Sequence, residues 1–305
     1  MSELPQKLLS TIECKQGVVR CVRFNADGNY CLSCGSDKSV KLWNPHRNIL
    51  LKTYQGHGYD VLDAVSSFDN SLIVSCGADK IAILWDVATG KTLRKFRGHL
   101  ATVNCVTFNE EASVVLSGSV DSSTRIWDCR SKSFDPIQVL NEAKDSVTSV
   151  KTSDHELLTA SADGYIRRYD LRNGQMHMDC IGKPVTCVSF TKDGQCMLAS
   201  SLDDTLRLLD KDNGELLGEY TGHKNSEFKV ESCLSQTDSH VVSGSEDGRI
   251  CFWDLVEGTM TSTIADAGDG VVHSVTFHPT EACMLTAAQS SFKVWRTEDY
   301  EPENG

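Results

Sequence analysis

The chain has 305 residues, with 30 Lys and Arg against 42 Asp and Glu and a formal net charge of −12. So acidic a surface excludes broad binding to phosphate backbones, which needs a cationic face, and direct nucleic-acid contact is not expected. A composition of 40% hydrophobic and 24% charged residues is that of a folded soluble domain. No apolar run approaches the ~20 residues of a membrane helix, and the opening Met1-Ser-Glu-Leu-Pro5 has no basic stretch leading into an apolar core, so neither membrane insertion nor secretion is expected.

In chain order, the first predicted strand is 6–13, whose Lys7-Leu-Leu-Ser-Thr-Ile-Glu13 has the pattern of the later Ile49-Leu-Leu-Lys-Thr-Tyr54 and Glu215-Leu-Leu-Gly-Glu-Tyr220. Seven similar units follow, at about 14–55, 56–97, 98–139, 140–180, 181–221, 222–263 and 264–296, and an acidic tail at 297–305 ends the chain. Each unit reads as four short strands. In 98–139, Val103-Asn-Cys-Val-Thr-Phe108 alternates as a half-buried strand should. Ala112–Gly118, Ser122–Trp127 and Ile137–Leu140 supply the other three. Asp27-Gly28, Asp163-Gly164, Asp193-Gly194 and Asp247-Gly248 are tight-turn signals between strands. After Trp295 nothing remains to form an outer strand, whereas the N-terminus offers one too many; residues 6–13 are therefore expected to complete the last unit and close the ring.

The repeat rests on three registers. Trp43, Trp85, Trp127, Tyr169, Leu209, Trp253 and Trp295 are spaced by 42, 42, 42, 40, 44 and 42 residues. Six residues before them stand Asp37, Asp79, Asp121, Asp163, Asp203, Asp247 and, in the last unit, Gln289. Ten residues before them stand Ser33, Ser75, Ser117, Thr159, Ala199, Ser243 and Leu285. Gly-His pairs end at His57, His99 and His223, which precede their Trp by 28, 28 and 30 residues.

Ser, His and Asp together suggest a hydrolase, but three copies at fixed spacing argue for structure, since an enzyme needs one site. Thr89-Gly90-Lys91-Thr92 lacks the upstream Gly of a phosphate-binding loop, because Trp85 stands there. No H-E-x-x-H, G-x-S-x-G or G-x-G-x-x-G occurs. His273 and His278 have no third metal ligand, and Arg167-Arg168 reads as a solvated strand edge. The 13 cysteines are odd in number and imply a reducing compartment. Cys31-Leu-Ser-Cys34, the single C-x-x-C, lies in a strand, where a separation of three points its sulfurs to opposite faces. Neither catalysis, nor a cofactor, nor a metal is expected.

The Gly-His and Trp-Asp registers resemble the WD-repeat family. The resemblance implies an all-β fold: a seven-bladed propeller with four antiparallel strands per blade around a channel. It also implies that His57, Ser75, Asp79 and Trp85 form a hydrogen-bonded set. His99, Ser117, Asp121 and Trp127 would form a second set, and His223, Ser243, Asp247 and Trp253 a third. Family propellers dock proteins on a narrow face, and the matching positions include Arg20, Tyr59, Asp60, Leu62, Asn104, Phe228, Lys229, Glu231, Glu246 and His273. Arg20, Tyr59 and Phe228 are the foremost of these, since aromatic and Arg side chains dominate interface energetics.

A closer resemblance, to seven-bladed WD-repeat scaffold proteins, rests on Asn25–Cys31, Gly56–Ala64, Arg207–Tyr220 and Phe252–Gly258. It implies a monomeric, cytoplasmic ring with a nuclear pool, gathering extracellular-signal-regulated kinase components and their adaptor. Its alternative is a structural subunit of the spliceosome or another RNA-processing assembly, held through proteins. A substrate adaptor or histone-tail reader is a further alternative; a methyl-lysine reader would need an aromatic cage.

Overall fold

The computed structural model describes residues 4–297, so 298–305 of the expected acidic tail lie outside the described residues. These residues form seven four-stranded antiparallel sheets and no helix. The second blade shows the plan: Val61–Ser66 lies innermost, then Leu72–Gly77, Ile81–Asp86 and Thr92–Arg97 outward. Inner strands alternate between neighbouring blades, and the second and third strands are almost wholly buried, as in Cys31–Gly35 and Ile81–Asp86. The Gly of each Asp-Gly turn has positive φ, for example 79° at Gly28 and 85° at Gly248, which a side chain would oppose. In the third blade the second strand begins at Val114 instead of Ala112, because Ala112 sits in the turn at φ 52°.

The core is a series of apolar slabs between successive blades. One slab joins Leu285, Phe292 and Val294 of the last blade to Val19, Val22 and Trp43 of the first. The next joins Leu32, Val40 and Tyr54 to Val61, Ile73 and Trp85. A lone blade would leave both of these faces wet, which is why stacking is needed for stability. Cys31 lies in the first slab and Cys34 in the second, so their sulfurs do face opposite ways.

The last blade is made from both ends of the chain. Lys7–Glu13 pairs antiparallel with Ser291–Arg296 and takes the outer position beside Cys283–Ala288 and Val272–Phe277. Ile12 of that strand is buried in the closing slab.

A recurrent defect in the sheets positions the channel mouth. In six blades the inner strand shifts register just after its first residue, at Val19/Cys21, Val61/Asp63, Val103/Cys105, Val147/Ser149, Val185/Cys187 and Val272/Ser274. A bulge leaves one residue unpaired and re-aims its side chain. The residues so released are Arg20, Leu62, Asn104, Thr148, Thr186 and His273. The sixth blade has a short inner strand, Ser232–Leu234, preceded by an irregular loop carrying Phe228 and Lys229.

Candidate protein-interaction site at the channel mouth

Arg20, Leu62, Asn104, Phe228, Lys229, Glu231 and His273 line one recess of about 180 Å³ at the channel mouth. They come from five blades, and Phe228 and His273 meet edge to face with ring centroids 6.1 Å apart. Burial, and then the neighbouring Arg20 cation, hold His273 below the usual histidine range. Three candidates stand apart from the recess. Tyr59 is 64% exposed and lies under the Lys38 ammonium, 5.6 Å from its ring centre. Asp60 is half-buried, and its carbonyl accepts the Ala78 N–H. Glu246 accepts the backbone N–H groups of Ser226, Glu227 and Phe228 at 2.8, 2.6 and 2.8 Å, so its carboxylate shapes the loop that carries Phe228.

Below the mouth the channel is charged. Arg23 donates to Asp63 at 3.0 Å and to Glu231 at 2.6 Å, joining the first, second and sixth blades. Glu231 also accepts from Ser274, and Asp63 from the Val106 N–H. The Lys229 ammonium crosses the channel to the Asn104 carbonyl at 3.2 Å. Burial alone would raise the Asp63 carboxyl, but Arg23, Lys229 and Lys151 outweigh it and hold it at about 2. Cys21, Asp63 and Glu231 offer ligand atoms within 4.8 Å of one another, with the Arg23 guanidinium already bonded to both carboxylates. Sequence reasoning passed over Arg23 and Asp63. The available signal was Asp63 at an inner-strand position where most other blades carry Cys or Ser, and Arg23 where they carry Thr, Ser, Val or Lys.

The repeated polar sets behave unequally. In the second blade His57 bonds Asp79 at 2.9 Å and Ser75 at 2.8 Å, and the Trp85 indole N–H donates to the same Ser75 oxygen at 2.8 Å. The third blade repeats this with His99, Asp121, Ser117 and Trp127 at 2.9, 2.8 and 2.9 Å. Ser75 and Ser117 are fully buried with a lone pair taken by indole, so neither hydroxyl is presented to a substrate.

The third expected set does not form. Trp253 donates to the Thr221 carbonyl, Ser243 turns to the Gly244 carbonyl, and Arg249 holds Asp247 at 2.7 Å. Both nitrogens of the buried His223 are left without hydrogen-bond partners. The physical cause is the two extra residues between His223 and Trp253, together with Arg249 standing where the second and third blades carry Ile81 and Ser123. Burial pushes His223 down to about 4.

Elsewhere other residues take the roles. Gln16 replaces His in the first blade, reaching Ser33, Ser39 and Asp37. Arg167 and Arg207 bond Asp163 and Asp203 at 2.6 and 2.7 Å in the fourth and fifth blades. In the seventh, Thr286, and not Leu285, receives the Trp295 indole. The Arg167-Arg168 pair is thus no solvated edge: both are buried, and Arg168 bonds Glu156 at 2.6 Å.

A sequence model described as WD domain, G-beta repeat matches residues 6–44, 48–86, 90–128, 134–170, 176–210 and 214–254. The chain belongs to the WD-repeat family. This WD-repeat chain is 67% identical over 303 residues to WD repeat domain-containing protein 83 of Rattus norvegicus, covering 99% of the chain and 96% of the relative. It is 66% identical to the Homo sapiens protein of that name, with the same coverage. It is 50% identical over 262 residues to an uncharacterized WD repeat-containing protein of Schizosaccharomyces pombe, covering 86% of the chain and 88% of the relative. WD-repeat propellers mediate protein–protein interactions and are generally non-enzymatic. Among the described residues no helix is long and apolar enough to cross a membrane.

Proposed function

We propose that this WD-repeat chain is a non-catalytic scaffold whose narrow face holds components of the extracellular-signal-regulated kinase cascade and their adaptor. It would work in the cytoplasm, with a nuclear pool. The observation that carries the reading is the convergence of seven candidate side chains from five blades on one recess. Loops on a rigid frame are where recognition concentrates, and an aromatic beside an Arg is the usual anchor of an interface. The kinase cascade itself enters through the closer resemblance of Asn25–Cys31, Gly56–Ala64, Arg207–Tyr220 and Phe252–Gly258. A methyl-lysine reader fits less well, since Phe228 is the one Phe, Tyr or Trp lining the recess and Tyr59 lies outside it.

Affinity purification tests this with wild-type protein beside an Arg20→Ala, Tyr59→Ala, Phe228→Ala variant whose fold is checked by its melting temperature. Kinase-pathway proteins should be recovered by the first and lost from the second. Equal recovery by both refutes the narrow-face site. Recovery of splicing proteins alone would favour the RNA-processing subunit.

A further inference from the structure

The charges around the recess do not cancel. Of its ionisable groups, Glu231 is already bonded to Arg23 at 2.6 Å and to Ser274 at 2.6 Å. Lys229 rests on the Asn104 carbonyl within the field of Asp63 and Glu231. Arg20 is different. Its Nε is buried without a hydrogen-bond partner, and no carboxylate pairs with its guanidinium among the described residues. His273 lines the same recess, and burial and then the Arg20 cation hold its imidazole below the usual histidine range. Deeper in, Arg23, Lys229 and Lys151 act on the Asp63 carboxylate, and in the lining of the recess Arg20 and Lys229 stand against a single carboxylate, Glu231, inside a chain of net charge −12. A half-buried guanidinium without a carboxylate partner forgoes charge-assisted bonds that a carboxylate fork would supply. Phe228 and His273 add an apolar wall, and about 180 Å³ is room for one side chain and not for a folded domain.

We infer that the mouth is a socket for one acidic side chain of an extended protein segment, its carboxylate paired with Arg20 and its stem lying along Phe228 and His273. This rests on the narrow-face reading and gives it a chemistry: partners should present Asp or Glu at the anchor, not Lys or Arg.

The test selects peptides from a displayed random library on the whole protein and measures each selected peptide and its Glu→Gln or Asp→Asn twin. Three proteins are used: wild type, Arg20→Met and Phe228→Ala. The expected result is a shared acidic anchor whose neutralisation weakens binding tenfold or more on wild type and less than twofold on Arg20→Met. Arg20 makes no bond that the fold needs, so Arg20→Met should melt with the wild type. Neutral or basic anchors, or a Glu→Gln loss that persists on Arg20→Met, would overturn the socket. So would displacement of the peptide by millimolar inorganic phosphate alone, which would mark a free anion as the occupant. Peptides lost on Phe228→Ala that need no acid would overturn only the socket and keep the narrow face. Peptides indifferent to both substitutions would overturn the narrow-face reading as well.

Discussion

The third and sixth blades carry the same four residue types in nearly the same register, yet only one builds a network. In the third, His99, Ser117, Asp121 and Trp127 tie the inter-blade loop, the hairpin turn and the third strand into one polar cluster. In the sixth, every partner has found something else, and His223 packs edge to face on Trp253 with centroids 5.4 Å apart. A motif residue therefore acts through the geometry that delivers it. Two added loop residues and one competing Arg suffice to disconnect it, and the loop thus freed is the one that carries Phe228 to the channel mouth.

The largest effect should come from taking away a whole strand, which sets the scale for losses inside a blade. Deleting residues 1–13 removes the partner of Ser291–Arg296 and uncovers Phe292 and Val294. A loss of roughly 5 kcal/mol, seen as a fall in melting temperature of about 10 °C or more, is expected. An unchanged melting temperature would refute closure by that strand.

Within the blades, His99→Ala strands a buried Ser and a turn Asp and should cost about 3 kcal/mol. The corresponding His223→Leu should cost less than about 1 kcal/mol at pH 7, since it breaks no hydrogen bond. Equal losses in denaturant melts would erase the contrast between the two blades.

Acid should sharpen the contrast. His223 faces Asp203, Asp204, Asp247 and Arg249, and its folded value of about 4 lies below the ordinary 6.5. The unfolded chain then binds the extra proton between those values. Stability is full above about pH 6.5 and falls as pH drops towards 4, by up to ~3 kcal/mol from this residue. Because other buried histidines act with the same sign, the measurement is the difference between wild type and His223→Leu, whose melting temperature should fall less steeply with acid. Parallel curves would show that His223 finds a partner.

The most local effect concerns the loop itself. Glu246→Gln weakens the acceptor of three amides and should cost about 1–2 kcal/mol locally. Faster hydrogen exchange at Ser226, Glu227 and Phe228 would report it; unaltered exchange there would mean the loop is held otherwise.

Where a feature repeats within forty-two residues, it was legible in the sequence. The blade number, the strand order within a blade and the closing strand followed from periodicity alone or with the family resemblance. Substitutes were not legible, because Gln16 reaches the register hydroxyl Ser33, and Arg167 the turn acid Asp163 and the neighbouring Ser161, from different backbone positions than His does. Nor was the channel network, since Arg23 meets Glu231 across 208 residues of chain, and no local pattern records a contact that only a closed ring creates.

The pairing of Lys7 with Arg296 also sets a schedule. On a ribosome the first strand emerges almost three hundred residues before its mate, with six blades able to stack in the interval. Until then that strand is a loose end with an unpaired edge, open to strangers. The fold's last act is thus a handshake between Lys7–Glu13 and Ser291–Arg296, and a product that stops before the second of these strands cannot perform it.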